Sequence, residues 1–466
     1  MSVRLFNHYF NLPFLILGLG EALVFIFSVY FVITLCGHGN FCNVGGGMDD
    51  VMPRAFVFCV IMLLSMLAMG LYQARLEGYS YVMARIVMGF VMGGAAVLLM
   101  TTVFSMMELG LPTMGFIFTV SFVAVCAIRF VFLSAVDNSF LKRRILIYGA
   151  GRKADSILQR FCNKIDQRGF VIVGFVHTHG DPEEGANKRI LKPNKPLCEL
   201  ARELRVDEIV DAVDERRSKL PLRELLDCKA SGVNVVNLLT FYERETGYVN
   251  VNLLDPSWII FSDGFKQTTA KYVVKRALDI AVSCCVLIAA SPVMLLAALA
   301  IMVESNFKGS VLYTQKRVGE KGRIFTIYKF RSMKEDAEKD GKAVWALQND
   351  NRVTRVGRFI RKTRIDELPQ VFNVLKGDMS FVGPRPERPE FDGMLREKIT
   401  YYEQRNQVKP GITGWAQLCY PYGASDRDAM EKLQYDLYYV KNQSLFLDLI
   451  IIFRTFEVIL FGKGAR

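Results

Sequence analysis

Ala281-Val-Ser-Cys-Cys-Val-Leu-Ile-Ala-Ala-Ser291-Pro292-Val-Met-Leu-Leu-Ala-Ala-Leu-Ala-Ile-Met-Val303 decides how this chain meets a membrane. The run carries no charge and is long enough to cross the ~30 Å hydrocarbon layer as a helix. Two features oppose a simple crossing. Pro292 sits mid-run, where proline removes a helix hydrogen bond and crowds the preceding turn. Cations also flank both ends, Lys271, Lys275 and Arg276 before and Lys308, Lys316 and Arg317 after, and Lys and Arg favour the cytoplasmic side. A helix that enters one leaflet, breaks at Ser291-Pro292 and returns to the same face satisfies both. The Ser291 hydroxyl is then at hand for backbone groups freed by the break. A fifth, kinked span is the alternative. The re-entrant reading covers about residues 272–304.

Four more apolar stretches precede it, at residues 12–36, 51–72, 82–104 and 111–133. Each is near the ~20 residues a spanning helix needs. A cleaved signal peptide fits poorly, because the first stretch is too long and three follow it. Arg4 stands before the first stretch, Arg75 between the second and third with Arg85 just beyond that loop, and Lys142-Arg143-Arg144 after the fourth. The loop at residues 37–50 has only Asp49 and Asp50, and the one near Glu108 has no cation. Residues 1–140 therefore read as a four-helix transmembrane bundle with both ends cytoplasmic. Glu21 lies inside the first stretch, where it costs a few kcal/mol unless neutral or partnered. Its first reading is a helix-packing contact.

Residues 141–264 change texture. Strand patterns at 144–148, 171–176, 208–213 and 233–239 alternate with charged helical segments, the signature of a parallel α/β sheet. Gly149-Ala-Gly151-Arg-Lys-Ala154 follows the first strand and opens a helix pattern at 154–161, as a dinucleotide-binding turn would. The second strand, however, runs into His177-Thr-His179 with no acid at its tip for a ribose hydroxyl, and Asp181 comes later. A Rossmann-like domain with a structural or regulatory role fits this better than a redox one.

Across 466 residues, 51% are hydrophobic and the formal charge is +12, which excludes a disordered chain. The charge gathers in residues 271–466, with 32 Lys and Arg against 22 Asp and Glu. The ten cysteines show no zinc spacing. Cys284 and Cys285 read as small buried hydrophobes, and Cys36 and Cys42 could pair across an oxidising loop or stay free. The four histidines, His8, His38, His177 and His179, all precede residue 180, so chemistry in the basic part must rest on carboxylates, Lys, Tyr or Cys. Lys329-Phe-Arg331 ends a strand pattern at 324–330. Arg352, Arg355, Arg358, Arg361, Lys362 and Arg364 follow in an acid-free run, part of which suits anionic headgroups. Tethering to a membrane and the lack of a nucleic-acid motif argue against nucleic acid.

Then comes Thr363-Arg364-Ile365-Asp366-Glu367-Leu368-Pro369-Gln370. Pro369 is tolerated only in a first helical turn, which places Asp366 at or next to an N-cap. As a bare cap the pair needs no function. Set beside Arg364 in a segment rich in phosphate-binding side chains, it could hold Mg²⁺ and a diphosphate together, and a carboxylate could attack phosphorus. Val382-Gly383-Pro384-Arg385-Pro386 and Val408-Lys409-Pro410-Gly411-Ile412-Thr413-Gly414-Trp415 fix rigid turns around single cations. Tyr435-Asp436-Leu437-Tyr438-Tyr439 sets an acid among aromatics, and residues 445–461 form an interfacial or packing helix.

These motifs carry a resemblance. KRALDI with the mid-helix Ser291-Pro292, QKRVGEKGRIFTIYKFRSM, RIDELPQVFNVLKGDMSFVGPRP, VKPGITGWAQ and YDLYYVKN make residues 271–466 closely resemble the bacterial sugar transferases called polyprenyl-phosphate hexose-1-phosphate transferases, or monotopic phosphoglycosyl transferases. The whole chain resembles the large form of that family. The resemblance implies a C-terminal mixed α/β catalytic domain with a re-entrant membrane hairpin and interfacial helices. It also implies transfer of a sugar-1-phosphate from a UDP-sugar to undecaprenyl phosphate, with release of UMP, at the cytoplasmic face of the bacterial inner membrane. Asp366 then matches the nucleophile that carries a covalent phosphosugar, Glu367 completes the dyad, and both are candidates to hold Mg²⁺. Arg317, Lys329, Arg331, Arg364 and Arg385 are candidates for phosphate contacts, and Asp436 matches a recurrent acid grouped with them. Membrane lipids are expected partners, and the bundle and α/β domain offer surfaces for a homodimer. Rival readings are a non-catalytic scaffold for polysaccharide assembly and a nucleotide-sugar oxidoreductase or dehydratase.

Overall fold

The structure, a computed structural model, describes residues 2–5, 8–37, 51–72, 79–104, 110–137, 142–161, 169–178, 190–191, 195–214, 221–254, 258, 262, 264, 268–334, 352–420, 423 and 425–460. His38, Cys42, Asp49, Asp50, Arg75, Glu108, His179 and Asp181 lie outside these, as does the side chain of Cys36, so the Cys36–Cys42 pairing falls there too. The chain divides into two compact units, the first ending at Thr246 and the second beginning at Gly247.

The four apolar stretches become α1 (Leu12–Gly37), α2 (Val51–Ala68), α3 (Tyr79–Phe104) and α4 (Leu111–Asp137). All four are long and apolar enough to cross a membrane. Each contributes to an aromatic centre. Phe25 of α1 meets Phe58 of α2 edge-on at 6.0 Å, Phe58 meets Phe118 of α4 at 5.3 Å, and Phe90 of α3 meets Phe122 at 5.1 Å. Edge-to-face rings satisfy their quadrupoles and fill the centre where lipid gives no hydrophobic push. Leu19, Leu23 and Phe27 form an outward stripe on α1, each more than 60% exposed.

Glu21 is fully buried and partnered. Arg129, an α4 cation that the hydropathy reading passed over, sets Nε 2.6 Å from Glu21 Oε1 and donates from Nη2 to Oε2 at 3.0 Å. The Tyr72 hydroxyl donates to the same Oε2 at 2.5 Å, and Arg129 Nη1 donates to the Leu71 carbonyl at 3.1 Å. A carboxylate inside the bundle is thereby paired with a guanidinium and accepts two hydrogen bonds on Oε2. Arg85 also turns inward, donating to the Gly70 carbonyl at 3.3 Å with its guanidinium over Tyr81.

The α/β part of the first unit has five parallel strands: β1 (Arg143–Tyr148), β2 (Phe170–Val176), β3 (Ile190–Leu191), β4 (Glu208–Asp211) and β5 (Asn234–Asn237). Their order is β3-β2-β1-β4-β5, the doubly wound order with β1 at the centre. Gly149 follows β1 at φ +113°, and a Cβ there would lie 2.7 Å from the Ala212 carbonyl oxygen. That glycine is needed for close packing of backbone on backbone. The helix that follows, α5 (Arg152–Arg160), starts where a pyrophosphate would bind in a dinucleotide fold. Its leading N–H groups are already taken: Arg152 N and Lys153 N both donate to the Asp214 carboxylate at 2.9 Å, and Lys153 Nζ donates to the Asp214 carbonyl at 3.2 Å. The chain supplies its own anion at this helix start. Arg143, expected as a membrane-face cation, is instead buried in a charge quartet with Glu208, Arg244 and Glu245. Arg143 and Arg244 hold the Glu245 carboxyl below its usual range despite its burial.

In the second unit, the run that opened the sequence reading lies in α6 (Thr269–Glu304), with Pro292 inside it. Pro292 has no N–H for the Ile288 carbonyl, and the Ser291 hydroxyl donates to that oxygen at 2.9 Å instead. Lys275 and Arg276 face the domain. Arg276 donates to the Val374 and Leu375 carbonyls at 2.5 and 2.6 Å, and Lys275 Nζ reaches the Val382 carbonyl at 3.1 Å and Asp448 Oδ2 at 2.9 Å. Asp279 accepts from the Ser380 hydroxyl and the Phe381 N–H. At the other end, Ala297 and Ile301 pack on Phe330 and Ile360, and Glu304 accepts from the Arg355 and Val356 N–H groups. Between these anchors Ile288, Leu295 and Leu296 are more than 60% exposed. Cys284 and Cys285 are exposed as well, contrary to the buried reading, because none of the described residues covers the middle of α6.

The rest of the unit is mixed α/β. A hairpin pairs β6 (Leu312–Val318) with β7 (Ile324–Phe330), and β8 (Ser380–Val382) runs parallel to β9 (Gly411–Thr413). The closing helix, α7 (Leu445–Leu460), buries Leu447, Ile450 and Ile451 and is a packing helix over its described face.

Two measurements check this account. Arg129→Leu alone leaves Glu21 buried and unpaired and is expected to cost about 3–5 kcal/mol. Glu21→Leu with Arg129→Leu should recover most of it, read as the temperature at which the detergent-solubilised chain loses its monodisperse elution. NAD⁺ at millimolar concentration should not raise the melting temperature of the full chain, and a rise of several degrees would overturn the self-capping reading of Asp214.

Candidate active site

Arg364 enters the site in the left-handed conformation, φ +61° and ψ 14°, which costs a side-chain-bearing residue about 1–2 kcal/mol. The short 3-10 turn Ile365–Glu367 follows. The helix beyond it runs over Gln370–Lys376 with Pro369 as its N-cap and Gly377 closing it at φ +97°. The acid pair therefore stands one turn ahead of the helix, not at its N-cap as the proline spacing suggested, since Pro369 itself takes the cap position. Both carboxylates are buried, at 8% exposure each.

Their surroundings differ. Glu367 Oε1 receives Lys329 Nζ at 3.0 Å and Arg385 Nη2 at 2.8 Å, with Arg364 Nη1 at 3.8 Å. Lys329 comes from the end of β7 and Arg385 from the turn after β8. Burial works against the charge of Glu367, yet Arg385, Lys329 and Arg364 together hold its carboxyl well below the usual range. Burial pushes the Lys329 ammonium down from its ordinary value, and Glu367 pulls against that. Asp366 has no hydrogen bond or ion pair among the described residues. Burial, then the charge of Glu367, push it up to about 6, against the pull of Lys329, Arg364 and Arg361. Two neighbouring acids are thus driven apart, one saturated with cations and the other open.

A cavity of about 1050 Å³ covers the pair. Arg317, Lys329, Arg331, Arg364, Arg385 and Asp436 all line it with Asp366 and Glu367, so the charged residues singled out in sequence share one chamber. They do different things there. Arg317 donates to the Pro386 carbonyl at 3.1 Å and to Gln315 Oε1 at 2.7 Å. Arg331 donates to the Lys308 carbonyl at 3.2 Å. Asp436 is buried and gives Oδ2 to Arg405, and burial pushes its carboxyl up to about 6. Ser291 and Pro292 are not part of the wall; α6 contributes Ala281, Val282, Cys285 and Val286.

Sequence reasoning passed over Arg405 and Lys432, which also line the cavity, and took Arg361 for a headgroup-facing cation. Arg405 stands three residues before the Val408-Lys409-Pro410-Gly411 turn, so nearness to a marked turn was the available signal. Lys409, the cation of that turn, lies over the Tyr272 ring at 5.2 Å. No cluster of three or more His, Cys, Asp or Glu that could hold a metal occurs among the described residues. The open Asp366 carboxylate is nevertheless a hard oxygen ligand, and Glu367 carries its cations on Oε1. Such a pair fits Mg²⁺, which is commonly held by one or two carboxylates plus substrate phosphate and water.

Fold and site together define a membrane-associated protein with a mixed α/β domain built around a split carboxylate pair in a cation-lined chamber. Residues 270–462 match the bacterial sugar transferase family. The chain is 44% identical over 245 residues to a UDP-N-acetylgalactosamine-undecaprenyl-phosphate N-acetylgalactosaminephosphotransferase of Aeromonas hydrophila, covering 52% of this chain and 56% of that one. It is 37% identical over 321 residues to a UDP-glucose:undecaprenyl-phosphate glucose-1-phosphate transferase of Klebsiella pneumoniae, covering 67% of each. Over 331 residues it is 34% identical to the Escherichia coli K12 protein of that same description, covering 68% of each. These matches span between about half and two thirds of the relatives' own lengths. The chain belongs to the bacterial sugar transferase family.

The strained backbone at Arg364 can be tested directly. Arg364→Gly is expected to unfold no earlier than wild type, since glycine takes a positive φ freely. Arg364→Val should unfold earlier by an amount equivalent to about 1–2 kcal/mol, measured by thermal denaturation in detergent.

Proposed function

We propose that this protein transfers a sugar-1-phosphate from a UDP-sugar to undecaprenyl phosphate at the cytoplasmic face of the bacterial inner membrane. The observation that carries this reading is the split acid pair: Asp366 open, and Glu367 saturated by Lys329 and Arg385. An oxygen of Asp366 attacks the phosphorus that bears the sugar. The bond from that phosphorus to the bridging diphosphate oxygen breaks, and UMP leaves with the bond's electrons. The acyl-phosphate so formed is then attacked by an oxygen of undecaprenyl phosphate, which returns the Asp366 carboxylate and yields undecaprenyl-diphospho-sugar. Each step exchanges one anhydride bond to phosphorus for another, diphosphate for acyl-phosphate and then acyl-phosphate for diphosphate, so the protein's work is positioning and charge neutralisation.

Lys329, Arg364 and Arg385 hold Glu367 in its ionised form and remain within reach of the donor's phosphates. Mg²⁺, held by Asp366 with Glu367 beside it, would neutralise diphosphate charge when bound. Undecaprenyl phosphate is part of each quoted relative's description, which supports that acceptor here. The re-entrant reading of α6 is supported by its anchoring. A straight helix of 36 residues is about 54 Å long, yet Arg276 and Asp279 near one end and Ile301 and Glu304 near the other are all bound by one α/β domain. A domain on one side of a bilayer can hold both ends if the helix turns back.

The test is UMP release by purified protein with undecaprenyl phosphate, Mg²⁺ and a panel of UDP-glucose, UDP-galactose and UDP-N-acetylhexosamines. One donor should give lipid-dependent UMP, and Asp366→Asn should lower the rate about a thousandfold or more. Unchanged turnover in that variant would remove Asp366 as nucleophile. No UMP from any donor would favour a scaffold.

A further inference from the structure

The segment Gly383-Pro384-Arg385-Pro386-Glu387 presents the Arg385 guanidinium to Glu367. Gly383 N donates to the Thr413 carbonyl at 2.9 Å at its start, while Pro384 and Pro386 have no N–H. Beyond Gly383 the segment is held by its carbonyls. Gly411 N donates to Pro384 O at 2.9 Å, Arg405 Nη2 to Arg385 O at 2.8 Å, Arg317 Nη1 to Pro386 O at 3.1 Å, and Val318 N to Glu387 O at 2.9 Å. Two of these four donors are guanidinium groups. Arg405 holds the carbonyl of the very residue whose side chain meets Glu367.

Arg405 is itself locked. Its side chain is 6% exposed and that of Asp436 is 3% exposed. Nε donates to Asp436 Oδ2 at 3.0 Å, with Nη2 2.8 Å from the same oxygen, and Nη1 donates to the Tyr402 hydroxyl at 2.8 Å. Nη2 therefore stands against Asp436 while it donates to the Arg385 carbonyl. A buried charge is retained at a cost unless paired and bonded, and this one is fully engaged. Its fork fixes direction as well as distance, which a lysine cannot reproduce.

We infer that Arg405, oriented by Asp436 and Tyr402, is a positioning residue that sets the placement of Arg385 against Glu367. This rests on the transferase reading of the site. Asp436, on this account, acts through Arg405 and never meets a phosphate. The relay runs Asp436, Arg405, Arg385 carbonyl, Arg385 guanidinium, Glu367, and it ends next to Asp366.

A double-mutant cycle tests it, with UMP release as the readout. Arg405→Lys should lower kcat about 10- to 100-fold, the effect expected when a catalytic group is displaced by about an ångström. Asp436→Asn should follow it more weakly. Combined with Arg385→Lys, Arg405→Lys should add no further loss, because the relay has only one output. Fully additive losses would overturn the proposal and mark Arg405 as general support. A structure of Arg405→Met answers independently of activity. The Arg385 Nη2–Glu367 Oε1 separation, 2.8 Å here, should lengthen past hydrogen-bond reach, and an unchanged separation would also overturn the proposal. Wild-type protein that releases no UMP from any UDP-sugar would count against the transferase reading alone, while this structural measurement would still decide the relay.

Discussion

Glu367 Oε1 is where the site converges. It draws Lys329 from the end of a hairpin strand, Arg385 from a proline-framed turn and Arg364 from the residue that opens its own turn. These groups are far apart in sequence, and each lies next to a feature that fixes it: a strand end, a suspended carbonyl, a left-handed backbone. Bringing cations of like sign together is unfavourable unless an anion sits between them, and Glu367 is that anion. Its neighbour Asp366 is then left without an ion pair among the described residues. Making one acid a structural counter-ion is what keeps the other one open.

The membrane helix belongs to the same scheme. Lys275 and Arg276 look from composition like cations that flank a bilayer, but they spend their donors on the domain. Arg276 closes the carbonyl end of the helix that follows the acid pair, and Asp279 fastens the strand that leads into the Arg385 turn. The apolar middle of α6 is exposed among the described residues, while Ala281, Val282, Cys285 and Val286 form part of the chamber wall. A helix long and apolar enough to cross a membrane is thus also a strut of the site.

Much of this was legible in the sequence for a physical reason. Apolar runs near the bilayer thickness marked α1 to α4, and short apolar runs marked β1, β2, β4, β5 and β7. Clustered cations around Asp366-Glu367 marked the chamber, because few other arrangements hold so much positive charge together. What sequence could not supply was direction. Arg143, Lys275 and Arg276 read as surface cations and are turned inward, and Arg129 was submerged in a hydropathy average although it meets Glu21. Asp214 shows the same limit from the other side. A glycine-rich turn predicts an anion at the start of a helix, and only the fold shows that the chain itself provides it. Arg405 carries no pattern of its own, since its importance arises from where its fork points.

The pair between Glu21 and Arg129 has a consequence for how the protein is made. The two residues are 108 positions apart, and a ribosome adding ~5–20 residues per second needs roughly 5–20 s to travel from one to the other. Throughout that interval the first helix bears a carboxylate whose guanidinium partner has not yet been synthesised. It must keep that group hydrated or sheltered by the insertion machinery. The first helix therefore cannot settle into its final place until the fourth arrives, and assembly of the bundle has a last step fixed by one ion pair.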